Sequence, residues 1–409
     1  MLFKKVIKLL IEFDMLLIAL PYLGIIFLLL VEILSIYFIM PFPGSQHINS
    51  ISLSYFIHSH IYLLRIAGIL ILIFGLYILF TGSHGLIHKV IIGLLCIIYI
   101  CFTFIIHNSM SADKMFLQPN TIAFTDISNS LLESNDIVLG TTINGESKAY
   151  PLEYVGYHHQ IRDVIGGVPV MITYCTVCRT GRIWSPIVNG ALEEFRLVGM
   201  DQFNAMFEDK TTGSWWRQVN GEAVAGSMKG TKLSEFPISQ MSFSAWKDKF
   251  PQSKIMLPDL SFQKEYQHLK GYAQGTLQST LIGKNPNKWQ NKSWIIGITL
   301  NNLSKAYDWS DLLKNRIIID TIGSSTIILS VLSDNSTFLV FSTLIDKQQL
   351  HFIKSADGFL IDSETNSKWD AKGNCIEGTY QGKQLYHIQG YQEFWHSWKT
   401  FHPETEKYN

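Results

Sequence analysis

Residues 136–178 read DIVLGTTINGESKAYPLEYVGYHHQIRDVIGGVPVMITYCTVC, and the fold follows from how this stretch alternates. Strand-forming residues flank Asn144-Gly145, a dipeptide suited to a two-residue turn, so 138–143 and 148–152 are predicted to pair as a hairpin. Residues 154–160 read as a turn or short helix. A second hairpin is predicted from 161–165 and 168–174 around Gly166-Gly167, the latter strand rich in β-branched and aromatic residues. Its end carries Cys175 and Cys178, the only CxxC in the chain. Residues 181–188 return as strand, so the pair is expected in a turn with no room for a following helix.

Most of this stretch is echoed later. From Ser293 the chain reads SWIIGITLNNLSKAYDWSDLLKNRIIIDTIGSSTIILSVL, and an offset of 157 residues superposes Gly140 on Gly297, Lys148-Ala149-Tyr150 on Lys305-Ala306-Tyr307, and Asp163 on Asp320. The endings also correspond: TNSKWDAKGNCIEG resembles TGSWWRQVNGEAVAG, and YQEFWHSWKTFHPETEKY resembles MSFSAWKDKFPQSKIM, with Trp398 and Pro403 placed as Trp246 and Pro251 are. So long a period predicts two related modules with their own cores rather than a solenoid. Under the same offset His158 faces Asn315, His159 faces Arg316, Cys175 faces Leu332 and Cys178 faces Asn335. Shared residues then read as scaffold, the lost ones as the candidate site, and the second module as degenerate.

Ahead of the modules the chain is a different material. Three apolar runs, 15–40, 61–80 and 90–106, are each about long enough to cross a hydrocarbon layer as a helix. The first is too long for a signal peptide and lacks a small-residue cleavage site, which favours an anchor. Lys4, Lys5 and Lys8 precede it, the 41–60 loop has no Lys or Arg, and Lys89 falls between the second and third runs. The positive-inside rule then places the N-terminus in the cytoplasm and everything after the third run outside. Arg65 runs against this bias and is read as snorkelling to the headgroups. Glu32, with no opposite charge at helical spacing, is read as lying near the interface, and Cys96 and Cys101 as small apolar fillers.

The expected organisation is a membrane domain over 1–112, a linker over 113–135, a first β-rich module over 136–258, a polar connecting segment over 259–291 and a second module over 292–409. The fold class is N-terminal transmembrane α-helices followed by an α+β, β-rich soluble region built from two duplicated modules. Further hairpins are expected around Asn189-Gly190 and Asn220-Gly221, and one helix over 242–250. With 47% apolar residues and zero net charge over 409 residues, the chain can bury more than one core, and nothing suggests a nucleic-acid partner. The expected partner is the lipid bilayer. No P-loop and no G-x-S-x-G elbow occurs, which disfavours nucleotide-binding and hydrolase functions. The adjacent Glu193-Glu194 read as solvation.

The string AYPLEYVGYHHQIRDVIGGVPVMITYCTVCRTGRIW, then LVGMDQFNAMFEDKTTGSWWRQVNGEAVAGSMKGTKL and a closing AWKDKFP, resembles the bacterial domain-of-unknown-function family numbered 3179. The resemblance supplies no activity. It implies that His158, Cys175, Cys178, Trp216 and Gln218 lie at pattern-defining positions; with the family's bacterial origin, the lysine bias around the apolar runs makes the expected location the bacterial inner membrane, with the soluble part on the extracytoplasmic side. Where other members often carry Pro after the first Cys and Gly after the second, this chain has Thr176 and Arg179, which argues against a tight zinc-ribbon knuckle.

Three readings of the Cys pair remain open. Two thiolates with His158 would form a Cys/His shell suited to zinc or copper. Arg179 and Arg182 would supply the positive charge that a helix N-terminus supplies elsewhere, making a reactive dithiol with Cys175, Cys178 and His158 as its catalytic set. Outside the cytoplasm the pair could equally be a disulfide that only locks a turn in a ligand-binding or structural envelope protein. A c-type haem is excluded because residue 179 is not His. His159, Arg179, Arg182, Asp201, Asn204, Trp216 and Gln218 are candidate binding residues.

Overall fold

A computed structural model describes residues 2–82 and 85–408, without the side chains of 2–4 and 6–14, so Lys4 and Lys8 lie outside the description. Among the described residues, three helices are long and apolar enough to cross a membrane: Met15–Tyr37, Ile61–Thr81 and Leu86–Met110. The first two lie close together because Gly75 faces Pro21, where a Cβ would come within 2.4 Å of the proline nitrogen. Glu32 and Arg65 depart from expectation. Glu32 is fully buried and accepts from Arg65 Nε at 2.7 Å and from its NH2 at 2.8 Å, with Tyr99 donating at 3.3 Å. The pairing is between helices, so spacing along one helix could not reveal it, and Arg65 turns to Glu32 instead of snorkelling.

The rest of the chain is β-rich. Ile137–Ile143 and Glu146–Pro151 form the first hairpin, with Asn144 and Gly145 at φ 48° and 82°, the left-handed pair that such a turn requires. The helix Leu152–His158 follows, ended by His159 at φ 61°. Gln160–Ile165, Val168–Cys175 and Thr180–Trp184 then form an antiparallel meander. The predicted strand through 188 breaks at Ser185-Pro186, since proline has no N–H to donate to a ladder. Phe195–Asp201, Asn204–Asp209, Trp215–Arg217 and Ala223–Ala225 make a third sheet, and Ser239–Ser242 leads into the helix Phe243–Lys249.

The same order recurs in Trp294–Leu300, Leu303–Asp308, the helix Trp309–Asn315, Ile317–Ile322, Ser325–Val331, Phe338–Ser342 and, at the end, Gly390–Phe394 with the helix Trp395–Phe401. The details recur too. Gly140 and Gly297 each lie under a tryptophan ring, where a Cβ would meet Trp246 or Trp398 at 2.3 Å. Tyr150 and Tyr307 donate to Asp163 and Asp320, and Lys148 and Lys305 pair with the same carboxylates at 3.0 and 2.7 Å.

Two segments read as connectors carry structure. Phe124–Asp126 is an edge strand paired with Lys254–Met256, so the supposed linker closes the first sheet. Within 259–291, Tyr266 and Tyr272 are 4% and 1% exposed, and the segment packs on the first module. The first module also contacts the chain between the first two apolar helices: Met200 N–H donates to Ile39 O at 2.8 Å, and Tyr55, in the short helix Ile51–Ser59, packs edge-on against Trp215.

Candidate functional site

The meander delivers Cys175 to the end of a strand and Cys178 to the turn that follows, both about fully buried and both free thiols. Each Sγ–H donates to Phe203 O, at 3.5 Å from Cys175 and 3.2 Å from Cys178. Phe203 sits in a two-residue turn with Gln202, at φ 68° and 50°. Neither residue is Gly or Asn, so the turn stores strain on the order of 1–3 kcal/mol per residue. It is held from outside by Phe203 N–H donating to Gln46 Oε1 at 3.1 Å, in the loop after the first apolar helix.

The four residues 176–179 are held by chain distant in sequence. Tyr272 Oη donates to Thr176 O at 2.8 Å, Lys292 Nζ donates to Val177 O at 2.7 Å, and Phe394 N–H donates to Cys178 O at 2.9 Å. Arg179 donates to Gln392 Oε1 at 2.9 Å and to the carbonyls of Tyr272 and Ala273, and its guanidinium lies 3.5 Å from the Trp294 ring centroid. Arg182 donates to Glu393 Oε1 at 2.8 Å, and Thr180 and Ser397 donate to the same carboxylate. Residues from the second half of the β-rich region therefore hold the turn. The relation is reciprocal: Ser242, ahead of the first module's closing helix, donates from its backbone to Thr337 Oγ1 at 3.0 Å and from its hydroxyl to Asp334 at 2.6 Å, in the equivalent turn of the second module.

Electrostatics separate the two thiols. Burial pushes both up. At Cys175 it is outweighed by hydrogen bonds from the Cys178 thiol and from the Ala205 and Cys178 backbone, with Lys292 adding positive charge, so Cys175 falls below the usual thiol value. Cys178 is raised well above it by burial and then by its partner thiol. Lys292 is itself lowered to about 8 by burial, against the pull of the two sulfurs. Cys175 lines a largely apolar cavity of ≈ 500 Å³ whose wall also includes Met40, Pro41, Ala112, Met115 and His159.

The other expected residues separate into two groups. His158 does not join the thiols: its Nδ1 meets Leu117 O at 2.5 Å and its Nε2 meets Tyr266 Oη at 2.7 Å. Among the described residues no three His, Cys, Asp or Glu side chains converge as a metal group, so the predicted Cys/Cys/His shell is not assembled. The helix ending at His158 is tied to the strand that leads to the Cys pair, with Tyr174 N–H donating to His159 O at 3.0 Å, but both imidazole nitrogens of His158 are already engaged. His159 reaches the cavity instead, with Nδ1 on Tyr157 O at 3.0 Å and burial lowering it to about 4.

Asn204 and Gln218 brace the turn: Asn204 Nδ2 donates to Gln218 Oε1 at 3.1 Å, and Gln218 Nε2 donates to Thr173 Oγ1 and Thr180 O. Trp216 donates to Asp209 at 2.8 Å just as Trp369 donates to Asp362 at 2.9 Å, a feature of both modules and hence of the scaffold. Asp201 pairs with Arg217 at 2.6 Å. Glu193 is 8% exposed and accepts from Thr211, so it does not serve solvation.

Residues 117–405 match the family described as Protein of unknown function (DUF3179). The chain belongs to the DUF3179 family. The match runs through both modules, and it takes in Leu117, which holds His158, and the segment that carries Tyr272 and Lys292. No curated protein and no solved structure matches the chain.

Lys292, Gln392, Glu393, Ser397 and His396, whose Nε2 meets Val177 O at 3.0 Å, were missed from sequence, although a signal existed for Glu393, His396 and Ser397. With Trp398 aligned on Trp246, Glu393 faces Met241, His396 faces Ser244 and Ser397 faces Ala245. The comparison that singled out the Cys pair in one copy would have singled out these residues in the other.

Proposed function

We propose that this DUF3179 protein carries a thiol-redox site in which Cys175 is the attacking thiol and Cys178 the resolving one. The observation that carries the reading is the asymmetry of the pair: Cys175 faces the cavity and is the more readily ionised, while Cys178 lies behind it and is held protonated. The hydrogen bonds that Cys175 receives from the Cys178 thiol and from the Ala205 and Cys178 backbone, with the charge of Lys292, set that asymmetry, and the second module, which we read as a duplicate of the first, keeps the turn in place. We further propose that the apolar helices anchor the chain in the bacterial inner membrane with the β-rich part on the extracytoplasmic side, as the lysine bias suggests. A metal centre finds less support, because His158 is engaged elsewhere.

The test uses full-length protein in detergent, oxidised with diamide, re-reduced with dithiothreitol and followed by alkylation and mass spectrometry. A reversible Cys175–Cys178 disulfide is expected, with Cys175 alkylated first in the reduced protein. Stoichiometric zinc or copper lost in Cys175→Ser would replace this reading with a metal site. A permanent disulfide whose loss alters only thermal stability would reduce the pair to a structural bridge.

A further inference from the structure

The cavity against Cys175 narrows what can reach the dithiol. Cys175 is 1% exposed and Cys178 is not exposed at all, so a folded polypeptide substrate cannot bring its own sulfur to either. Access runs through the ≈ 500 Å³ cavity, a volume that takes a small organic molecule. Its wall joins two parts of the molecule. Met40 and Pro41 follow the first apolar helix and Ala112 and Met115 follow the third, while Cys175 and Leu197 come from the β-rich module. The lining is mostly hydrocarbon, with His159, Glu265 and His268 among its polar groups beside the hydroxyls of Tyr157, Thr176 and Ser279. A cavity walled by the chain just past two apolar helices would lie beside a bilayer that those helices cross, where molecules dissolved in the bilayer could reach it and its polar groups would meet a polar head.

Building on the dithiol reading above, we propose that the cavity takes a lipid-soluble quinone and that the Cys175–Cys178 pair reduces it. The balance closes without another reactant. The Cys175 thiolate adds to the quinone ring, forming a C–S bond. Cys178 loses its proton and attacks Cys175 Sγ, so the S–S bond forms as the C–S bond breaks. The ring leaves with the electron pair, and the two thiol protons end on its oxygens: dithiol and quinone become disulfide and hydroquinone. Lys292, donating to Val177 O beside the sulfurs, supplies positive charge near the thiolate throughout.

The experiment mixes reduced full-length protein in detergent with decylubiquinone, reading quinone absorbance and the alkylation pattern together. One quinone reduced per chain is expected, with a Cys175–Cys178 disulfide formed in step and no reaction in Cys175→Ser. Leu281→Trp and Met115→Trp place an indole at the cavity wall at positions 37% and 43% exposed, where folding tolerates the change. Each should slow quinone reduction tenfold or more while diamide still forms the disulfide. Unchanged rates in both variants would refute the cavity route. If diamide forms the disulfide and decylubiquinone does not, the quinone inference falls and the dithiol reading stands. If neither oxidant forms it, both fall.

Discussion

Replacing Glu393 with alanine tests whether the second module holds the Cys turn. The carboxylate is completely buried and accepts from Arg182, Thr180 and Ser397. Its loss leaves the Arg182 guanidinium, 3% exposed, with only Glu235 at 3.5 Å and the Tyr391 ring at 3.2 Å to offset its charge. Breaking a buried pair from one side costs about 3–5 kcal/mol. Glu235 is one-third exposed and its charge is partly screened, so it offsets little of that cost. For a region of this size, the change corresponds to a fall in melting temperature of roughly 10 °C. Thermal unfolding of full-length protein in detergent provides the readout, beside the double variant Arg182→Met with Glu393→Leu, expected to recover most of the loss because it leaves no unpaired charge. A fall of less than about 2 °C in Glu393→Ala would show that the pair contributes little, and the account of the turn as held from the second module would fail.

Three further outcomes are expected. Gly140→Ala forces a Cβ to 2.3 Å from the Trp246 ring and should cost at least about 1–3 kcal/mol in thermal unfolding, while Gly93→Ala, with nothing within 4 Å, should be silent. His159 titrates near 4 in the folded protein against 6.5 when unfolded, because burial disfavours its charged form. The unfolded state therefore binds the extra proton first, and stability present above pH 6.5 is lost as pH falls towards 4, by about 3 kcal/mol at about 1.4 kcal/mol per pH unit. His159→Asn should flatten that part of the pH–stability curve, and an unchanged curve would contradict the assignment. Glu32→Leu alone should destabilise the apolar helices in detergent by leaving Arg65 unpaired, and adding Arg65→Met should restore most of the loss.

The strand pairs around Asn144-Gly145 and Gly166-Gly167, the three apolar helices and the Cys turn followed from the sequence, because each depends on contacts within a few residues: left-handed turn positions, side-chain alternation and unbroken apolar length. The recurrence of Gly140 with Trp246 in Gly297 with Trp398 was legible for a similar reason, since a glycine under a tryptophan leaves both letters in the text. What His158 does was not. One letter cannot say whether an imidazole meets a thiol or, as here, a carbonyl 41 residues earlier in the chain and a tyrosine 108 residues later. The polarity of 259–291 suggested a connector, but two buried tyrosines fasten it, Tyr272 to the Cys turn and Tyr266 to His158. The pairing of Glu32 with Arg65 and the seating of Glu393 against Arg182 depend on which surfaces the folded modules and helices present to each other. Local sequence determined the elements and the presence of two thiols three residues apart; only the tertiary packing decided that both are buried and that Ala205 and Lys292 lie near Cys175, because burial and charge act through space rather than along the chain.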